Sequence, residues 1–265
     1  MTLSILVFLL LLAGGFPSEA IAQTVLPESR HTPLVIAHRG NHRKQPENTV
    51  ASTKAAIQAG ADYVEIDLRT TMDGHLVAMH DGSVDRTTNG KGLVKQLSWS
   101  EVQSLRVFND NKRPHRVPDF EELLTVCKDK INIYLDFKEA DVAETWRQIR
   151  AAGMEKQVVV YLNSIEQYDE WRLITPDVPL MTSLPDSIVN EDQFRDFLAH
   201  RSIVVFDNIR DPKLLAFAHQ NGVQVWLDVQ QAEESPDTWR PILSLGVDGM
   251  QTDHPAMLVR YLEGR

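Results

Sequence analysis

Three short apolar runs each end in side chains that ionise or bind metals. Leu34-Val35-Ile36-Ala37 runs into His38-Arg39-Gly40. Tyr63-Val64-Glu65-Ile66-Asp67 carries two carboxylates at spacing two, and Leu76-Val77-Ala78-Met79 runs into His80-Asp81. A fourth run, Ile131–Leu135, leads into Asp136-Phe137-Lys138, again at spacing two. Side chains two apart in a strand face the same way, and burying polar groups is costly unless they pair or bind something. Glu65, Asp67 and Asp136 pointing into one mouth would raise one another's pKa values. A hard divalent cation, Mg²⁺ or Ca²⁺, resolves that repulsion because both prefer oxygen ligands. These three are therefore the candidate metal ligands. Arg39 and Lys138 offer another resolution, a charge network without an ion, and the same two cations can equally hold phosphoryl oxygens. His38 and His80 suit general acid–base work near neutral pH, with metal ligation or a satisfied core position as the alternatives. Zinc fits less well, because no H-x-H or H-E-x-x-H spacing occurs. The chemistry this set points to is cleavage of a phosphate diester with a metal ion.

The groups meet only if their strands are neighbours. Between the second run and His75–Met79 lie only Thr70-Thr71-Met72-Asp73-Gly74, too few residues for a parallel crossover. The pair is therefore a hairpin turning at Asp73-Gly74, which returns Met79 and His80 opposite Asp67 and Glu65. Asn48 or Thr49 caps a helix from Val50 to Ala59, and Gly60 stops it. Residues 82–118 are a turn-rich excursion holding one short helix, Ser98 to Leu105, opened by a Ser98…Glu101 capping box. Asp119 caps a helix from Phe120 to Lys128.

From there apolar runs alternate with helical patterns. The runs are Ile131–Leu135, Val158–Leu162, Leu180–Ser183, Ile203–Phe206, Val223–Leu227 and Gly249–Thr252. The helices are Ala140–Ala152, Ile165–Leu173, Asp192–His200, Pro212–Asn221, Pro236–Leu245 and Pro255–Leu262. With the hairpin arm set aside, eight strands alternate with helices. This pattern predicts the α/β class and a (β/α)8 TIM-type barrel with a hairpin and short excursion after strand 2. An open doubly wound sheet is the alternative, but no G-x-G-x-x-G turn supports it.

A chain of 265 residues, 43% hydrophobic, fits one large α/β domain. A net charge of −10 argues against the phosphate backbone of nucleic acids and against an anionic membrane held by charge. Residues 3–16 are apolar but short for a membrane span, and Ala20-Ile21-Ala22 supplies a small-residue cleavage pattern. The organisation expected is a signal peptide over 1–22, a linker over 23–33 and a barrel domain over 34–265, in a protein exported to the periplasm or beyond. No Lys or Arg precedes the apolar run, so an uncleaved membrane anchor is the alternative. Cys127 is the only cysteine, so no intrachain disulfide is available. It lies in a helical pattern and reads as a small buried filler. The partner expected is a small-molecule phosphodiester, with no nucleic acid and no stable membrane partner; no oligomeric state is specified.

The string His38-Arg39-Gly40…Pro46-Glu47-Asn48-Thr49, then Glu65-x-Asp67, His80-Asp81 and Asp85-Arg86-Thr87-Thr88-Asn89-Gly90, resembles the glycerophosphodiester phosphodiesterase family. Gly246-Val247-Asp248-Gly249-Met250-Gln251-Thr252-Asp253-His254-Pro255 is similar to its closing strand. The resemblance covers most of residues 34–263. It implies a barrel, a divalent metal, and hydrolysis of glycerophosphodiesters to an alcohol and glycerol 3-phosphate. It implies further that His38 and His80 are the acid–base pair, that Glu65 and Asp67 match two metal ligands, and that Arg39 matches the phosphate contact. Glu47 matches a site residue without an assigned role; a helix-capping carboxylate is its plainer reading. An attack by the glycerol 2-hydroxyl, giving a cyclic phosphate that water opens, also comes from the resemblance. Direct attack by water suits the residues equally.

Two departures stand out. The family usually has Glu where this chain has Asp136, shorter by one methylene. It tends to have Thr-Val-Asn after the tryptophan matching Trp226, where this chain has Leu227-Asp228-Val229. Trp226 stacks on the substrate glycerol or simply packs, and packing is the ordinary role of a strand aromatic. Two rival functions remain: a phospholipase-type barrel acting on inositol lipids or lysolipids, and a non-catalytic barrel that binds phosphate ligands. No apolar rim loop stands out, which favours soluble substrates. Two histidines kept together with three carboxylates favour an enzyme.

Overall fold

The computed structural model describes residues 25–108, 115–231 and 233–264. The expected signal peptide lies outside them. The elements run β1 (Leu34–Ala37), α1 (Val50–Ala59), β2 (Tyr63–Thr70), β3 (Leu76–Ala78), α2 (Trp99–Ser104), α3 (Phe120–Cys127), β4 (Asn132–Glu139) and α4 (Val142–Ala152). They continue as β5 (Val158–Leu162), α5 (Ile165–Ile174), β6 (Leu180–Thr182), α6 (Glu191–His200), β7 (Val205–Phe206), α7 (Pro212–Gln220), β8 (Gln224–Asp228), α8 (Pro236–Ser244), β9 (Gly249–Thr252) and α9 (Pro255–Glu263).

β1 pairs in parallel with β2, Ile36 against Tyr63, and with β9, Leu34 against Gly249. That double pairing closes β1, β2 and β4 to β9 into one ring, the (β/α)8 barrel the alternation predicts. β3 stands outside it, antiparallel on the upper half of β2, with Leu68 opposite Ala78 and Thr70 opposite Leu76. The turn falls at Asp73-Gly74, with Gly74 at φ 86, a backbone that glycine takes without strain.

Side-chain alternation makes two cores. Leu34, Ile36, Tyr63, Tyr134, Val159, Met181, Val205 and Trp226 point inward and fill the barrel. Val35, Ala37, Val64, Ile66, Ile133, Leu135 and Val160 point outward against Phe120, Leu123, Trp171 and Phe194 of the helices. The excursion after β3 holds a small core of its own, where Val77, Met79, Val84, Val94, Val102, Val107 and Val117 meet.

Helix starts follow their caps. The Ser98 side chain accepts from Glu101 N, and the Asp119 side chain accepts from Glu122 N. Thr49, not Asn48, caps α1. Asn48 sits at φ 52, in the left-handed region that asparagine tolerates. β4 runs further than its apolar run suggests, because β2 continues beside it and pairs Asp67 with Asp136. Among the described residues no helix is long and apolar enough to cross a membrane.

Candidate active site

The inward positions one layer above the packed barrel interior carry the chemistry. Each is the next same-face residue along its strand: Ile36 then His38, Tyr63 then Glu65, Tyr134 then Asp136, Trp226 then Asp228. Ligand oxygens of Glu65, Asp67 and Asp136 lie within 4.8 Å of one another. Glu65 and Asp67 are 2% and 0% exposed. Burial, Asp67 and Asp136 together hold Glu65 well above the usual carboxylate range, against the pull of the Arg39 N–H. Burial and Asp67 also raise Asp136, against Lys138 and Asn163. Asp67 Oδ1 is buried and accepts no hydrogen bond. An all-oxygen set in which one buried oxygen accepts no hydrogen bond, held against its own repulsion, fits a hard divalent cation.

Two cations meet this cluster. Lys138 Nζ lies 2.5 Å from Asp136 Oδ2 and 3.3 Å from Asp67 Oδ1. Burial lowers the Lys138 pKa, but Asp136 and Asp67 outweigh it and the net shift is upward. Arg39 Nε stands 3.7 Å from Asp67 Oδ2, and the Arg39 backbone N–H donates to Glu65 Oε2 at 2.6 Å. That amide reaches Glu65 because Arg39 and Gly40 both take left-handed backbone, φ 51 and φ 80. A Cβ on Gly40 would come 2.6 Å from Ser52 Oγ, so only glycine fits that turn. The charge network expected as the alternative to a metal is thus present.

The two histidines share one arrangement. His38 Nδ1 lies 2.7 Å from Asp253 Oδ1, and His80 Nδ1 lies 2.7 Å from Asp81 Oδ1. A carboxylate accepts, so each neutral ring carries its proton on Nδ1 and presents a lone pair at Nε2. Burial raises Asp253, but the hydrogen bond and charge of His38, with His42 and His254, bring it below the usual range. The Arg86 hydrogen bond, aided by His80, holds Asp81 far below it.

The hairpin brings Met79 opposite Asp67 as expected, with His80 next along the chain. Met79 N–H donates to Asp67 O at 3.0 Å, and the Arg69 guanidinium donates to His80 O at 2.7 Å. His80 then joins the acidic centre through a chain of ion pairs. Asp81 holds Arg86 Nε at 2.7 Å, Arg86 Nη2 reaches Glu47 Oε1 at 2.8 Å, and Arg39 Nη1 reaches the same oxygen at 3.1 Å. Glu47 is therefore the bridge between two arginines and not a helix cap. Burial raises its pKa, and the two arginines bring it below normal.

Trp226 requires a correction. Its ring is 1% exposed, tilts against Tyr63 at 5.0 Å between centroids, and donates from Nε1 to Gln224 Oε1 at 2.7 Å. It belongs to the packed interior one layer below the mouth, with no face left for a substrate. Asp228, two residues on, occupies the mouth instead. Crowding by protein, Asp207 and Asp136 push its carboxyl up to about 7, although it is exposed and water screens part of that effect.

Asp81, Arg86 and Asp253 stand in the sequence motifs without an assigned role, and Asn48 only as one of two candidate helix caps. Asn48 Nδ2 donates to Asp67 Oδ2 at 2.6 Å, and Asp67 N–H donates back to Asn48 Oδ1 at 3.2 Å. Asn163 escaped notice, and its Nδ2 donates to Asp136 Oδ1 at 2.7 Å. The signal was its place just past a strand end. A recess of about 440 Å³ opens beside Lys138 and Asn163, walled by Arg69, Gly82 and Lys95. A larger cavity, about 770 Å³, lies at the other end of the barrel against Leu26, Trp146 and Val178. None of the candidate residues lines it, so the chemistry and not the volume locates the site.

Known proteins resemble this chain in fold and sequence. Residues 38–184 match the Glycerophosphoryl diester phosphodiesterase family. The chain is 29% identical over 241 residues to a glycerophosphodiester phosphodiesterase of Caldanaerobacter subterraneus subsp. tengcongensis, covering 86% of this chain and 97% of that protein. Its fold is similar to the crystal structure of a glycerophosphodiester phosphodiesterase from Agrobacterium tumefaciens, with TM-score 0.75 and 28% identity over 86% of this chain and 99% of the other. It is also similar, with TM-score 0.77 and 20% identity, to an Oleispira antarctica phosphodiesterase solved with the product sn-glycerol-3-phosphate; that match covers 88% of this chain and 98% of the other.

Proposed function

We propose that this chain, which belongs to the glycerophosphoryl diester phosphodiesterase family, hydrolyses glycerophosphodiesters to an alcohol and glycerol 3-phosphate with His38 and His80 as the acid–base pair. The observation that carries this reading is the paired geometry of the histidines. Each is anchored through Nδ1 to a carboxylate at 2.7 Å, which leaves Nε2 free to exchange a proton with substrate. His80 connects to Asp67 through Asp81, Arg86, Glu47 and Arg39, and His38 immediately precedes Arg39, whose backbone N–H donates to Glu65. The product sn-glycerol-3-phosphate bound to the Oleispira antarctica relative is the product this chemistry would release.

Arg39 and Lys138 supply fixed positive charge for the nonbridging phosphoryl oxygens. Glu65, Asp67 and Asp136 would hold a divalent ion, Mg²⁺ or Ca²⁺, and the ion would add Lewis-acid charge against those same oxygens. One histidine takes the proton of the glycerol 2-hydroxyl as its oxygen forms the new bond to phosphorus. The other, which enters the step as an imidazolium protonated on both nitrogens, gives its Nε2 proton to the departing alcohol as the P–O bond breaks. A cyclic phosphate results; water then opens it, with the two histidines in exchanged roles, and both return to their starting protonation states. Attack by water in a single step uses the same two groups.

A metal-depletion and add-back assay tests the reading. The protein, stripped by chelator, is offered glycerophosphocholine, a lysolipid and an inositol phosphodiester with Mg²⁺ or Ca²⁺. Turnover of glycerophosphocholine that needs the ion supports the proposal. Preference for the lysolipid or inositol substrate would favour a phospholipase, and phosphate-ligand binding without any turnover would favour a binding barrel.

A further inference from the structure

A third histidine at the mouth has no part in the reaction proposed above. The left-handed turn at Arg39 and Gly40 curls the chain so that His42 comes back over His38, ring centroids 5.7 Å apart and edge-on. His42 Nδ1 lies 2.7 Å from the His38 carbonyl oxygen. A carbonyl only accepts, so Nδ1 carries the proton and neutral His42 presents a lone pair at Nε2. That lone pair stands 3.6 Å from an oxygen of Asp253, the carboxylate that also holds His38. Two acceptors facing each other repel unless a proton or a metal ion lies between them.

We propose that His38, His42 and Asp253 form a second cation site, which takes a borderline divalent ion such as Zn²⁺. One ligand atom from each lies within 4.8 Å of the others. This is an N₂O donor set, and imidazole nitrogen suits Zn²⁺ where the all-oxygen set of Glu65, Asp67 and Asp136 suits Mg²⁺ or Ca²⁺. The N–H that His42 gives to a backbone carbonyl is the partner that fixes the tautomer of metal-binding histidines. The side chains of His38, His42 and Asp253 are 18%, 20% and 21% exposed, so an ion can enter from the mouth.

Occupancy has a consequence that rests on the function proposed above. An ion at His38 Nδ1 displaces the proton there, and the neutral ring then carries its proton at Nε2. His38 can no longer accept a proton from substrate, so Zn²⁺ inhibits.

Cobalt serves as the spectroscopic stand-in for zinc. Metal-stripped full-length protein titrated with Co²⁺ is expected to show visible ligand-field bands of a nitrogen-ligated ion, bleached by added Zn²⁺. The bands are expected to vanish in His42→Ala and His42→Gln, two variants chosen so that one misfolded protein does not decide the matter, and to persist in Glu65→Gln. Zn²⁺ is expected to inhibit Mg²⁺-supported turnover, with the His42 variants less sensitive by about tenfold or more. Bands unchanged in folded His42 variants, or lost in Glu65→Gln, would overturn the site. Absence of turnover on every glycerophosphodiester would instead remove the proposed function, while the cobalt bands still report on the second site.

Discussion

His38 and Asp253 are 215 residues apart in the chain and 2.7 Å apart in space, Nδ1 to Oδ1. The contact spans the seam where β9 closes onto β1, so closure of the barrel itself sets the tautomer of His38. Asp253 is in turn fixed from behind. Its N–H donates to Glu234 Oε1 at 2.9 Å, and Glu234 Oε2 accepts from the Thr252 hydroxyl. Asp253→Asn is expected to keep the fold and lose the tautomer, because an amide can donate to Nδ1 and leave the proton on Nε2. Turnover of glycerophosphocholine should fall by about 10²–10⁴-fold, mainly in kcat. A loss confined to KM would show that Asp253 acts on substrate binding instead.

Substituting either histidine should be about equally damaging. His38→Ala and His80→Ala are each expected to lower kcat by about 10²–10⁴-fold. The double variant should fall little further, because groups acting in one proton circuit are not additive. Steady-state rates on a single phosphodiester measure this. Wild-type rates in both single variants would sink the acid–base assignment.

The elements were legible in the sequence because their periods were strong. The alternation after Ile131 gave the barrel, and Asp73-Gly74 gave the hairpin. Glu65, Asp67 and Asp136 were legible because charges at spacing two inside apolar runs have no ordinary core role. What was not legible depends on contacts far along the chain. Nothing local distinguishes Asn48 as a partner of Asp67 from Asn48 as a helix cap; its left-handed backbone decides. Asp253 and Asn163 act on residues 215 and 27 positions away. Trp226 was ambiguous because a strand shows its two faces but not its depth, and only the pairing with Gly249 places it below the mouth.

Glu65 gives a pH test with a definite sign. Its folded-state pKa is raised by burial, Asp67 and Asp136, so ionising it costs stability. That cost appears as pH rises from the ordinary carboxylate range through the raised value, and it vanishes below both. Metal-free Glu65→Gln, which keeps an acceptor for the Arg39 N–H, should be more stable than wild type at neutral pH by about 0.5–2 kcal/mol. The difference should fade in acid. Excess Mg²⁺ or Ca²⁺ should raise the Tm of wild type and not of the variant. A variant less stable than wild type at neutral pH would make Glu65 a structural ion-pair partner.

Lys138 separates the metal from the charge network. Its ammonium neutralises Asp136 and Asp67 in the metal-free protein. Lys138→Met should cost about 1–3 kcal/mol there, because two poorly hydrated carboxylates lose a partner. A divalent ion should restore more stability to the variant than it adds to wild type, as read by thermal melts with and without ion. Equal ion effects in both proteins would mean that Lys138 and the ion do not address the same carboxylates.

Trp226 and Gly249 distinguish packing from substrate binding. A Cβ at Gly249 would lie 2.7 Å from Cδ1 and Cγ of the Trp226 ring and 2.9 Å from Leu34 Cδ1. The ring therefore occupies the space that a side chain on β9 would take, and Tyr63 and Tyr134 close over it at 5.0 and 6.4 Å between centroids. Removing such a ring leaves a cavity that neighbours in a closed barrel cannot collapse to fill. Trp226→Ala should cost about 3–5 kcal/mol, and Gly249→Ala should cost about 1–3 kcal/mol through overpacking. Both losses should appear in denaturant melts while the KM of the folded enzyme stays at its wild-type value. If the indole instead stacked on the glycerol moiety, Trp226→Ala would raise KM with little loss of stability, and Gly249→Ala would leave KM alone. The joint pattern of the two variants, stability lost in both and KM changed in neither, is the outcome that a ring inside the barrel requires.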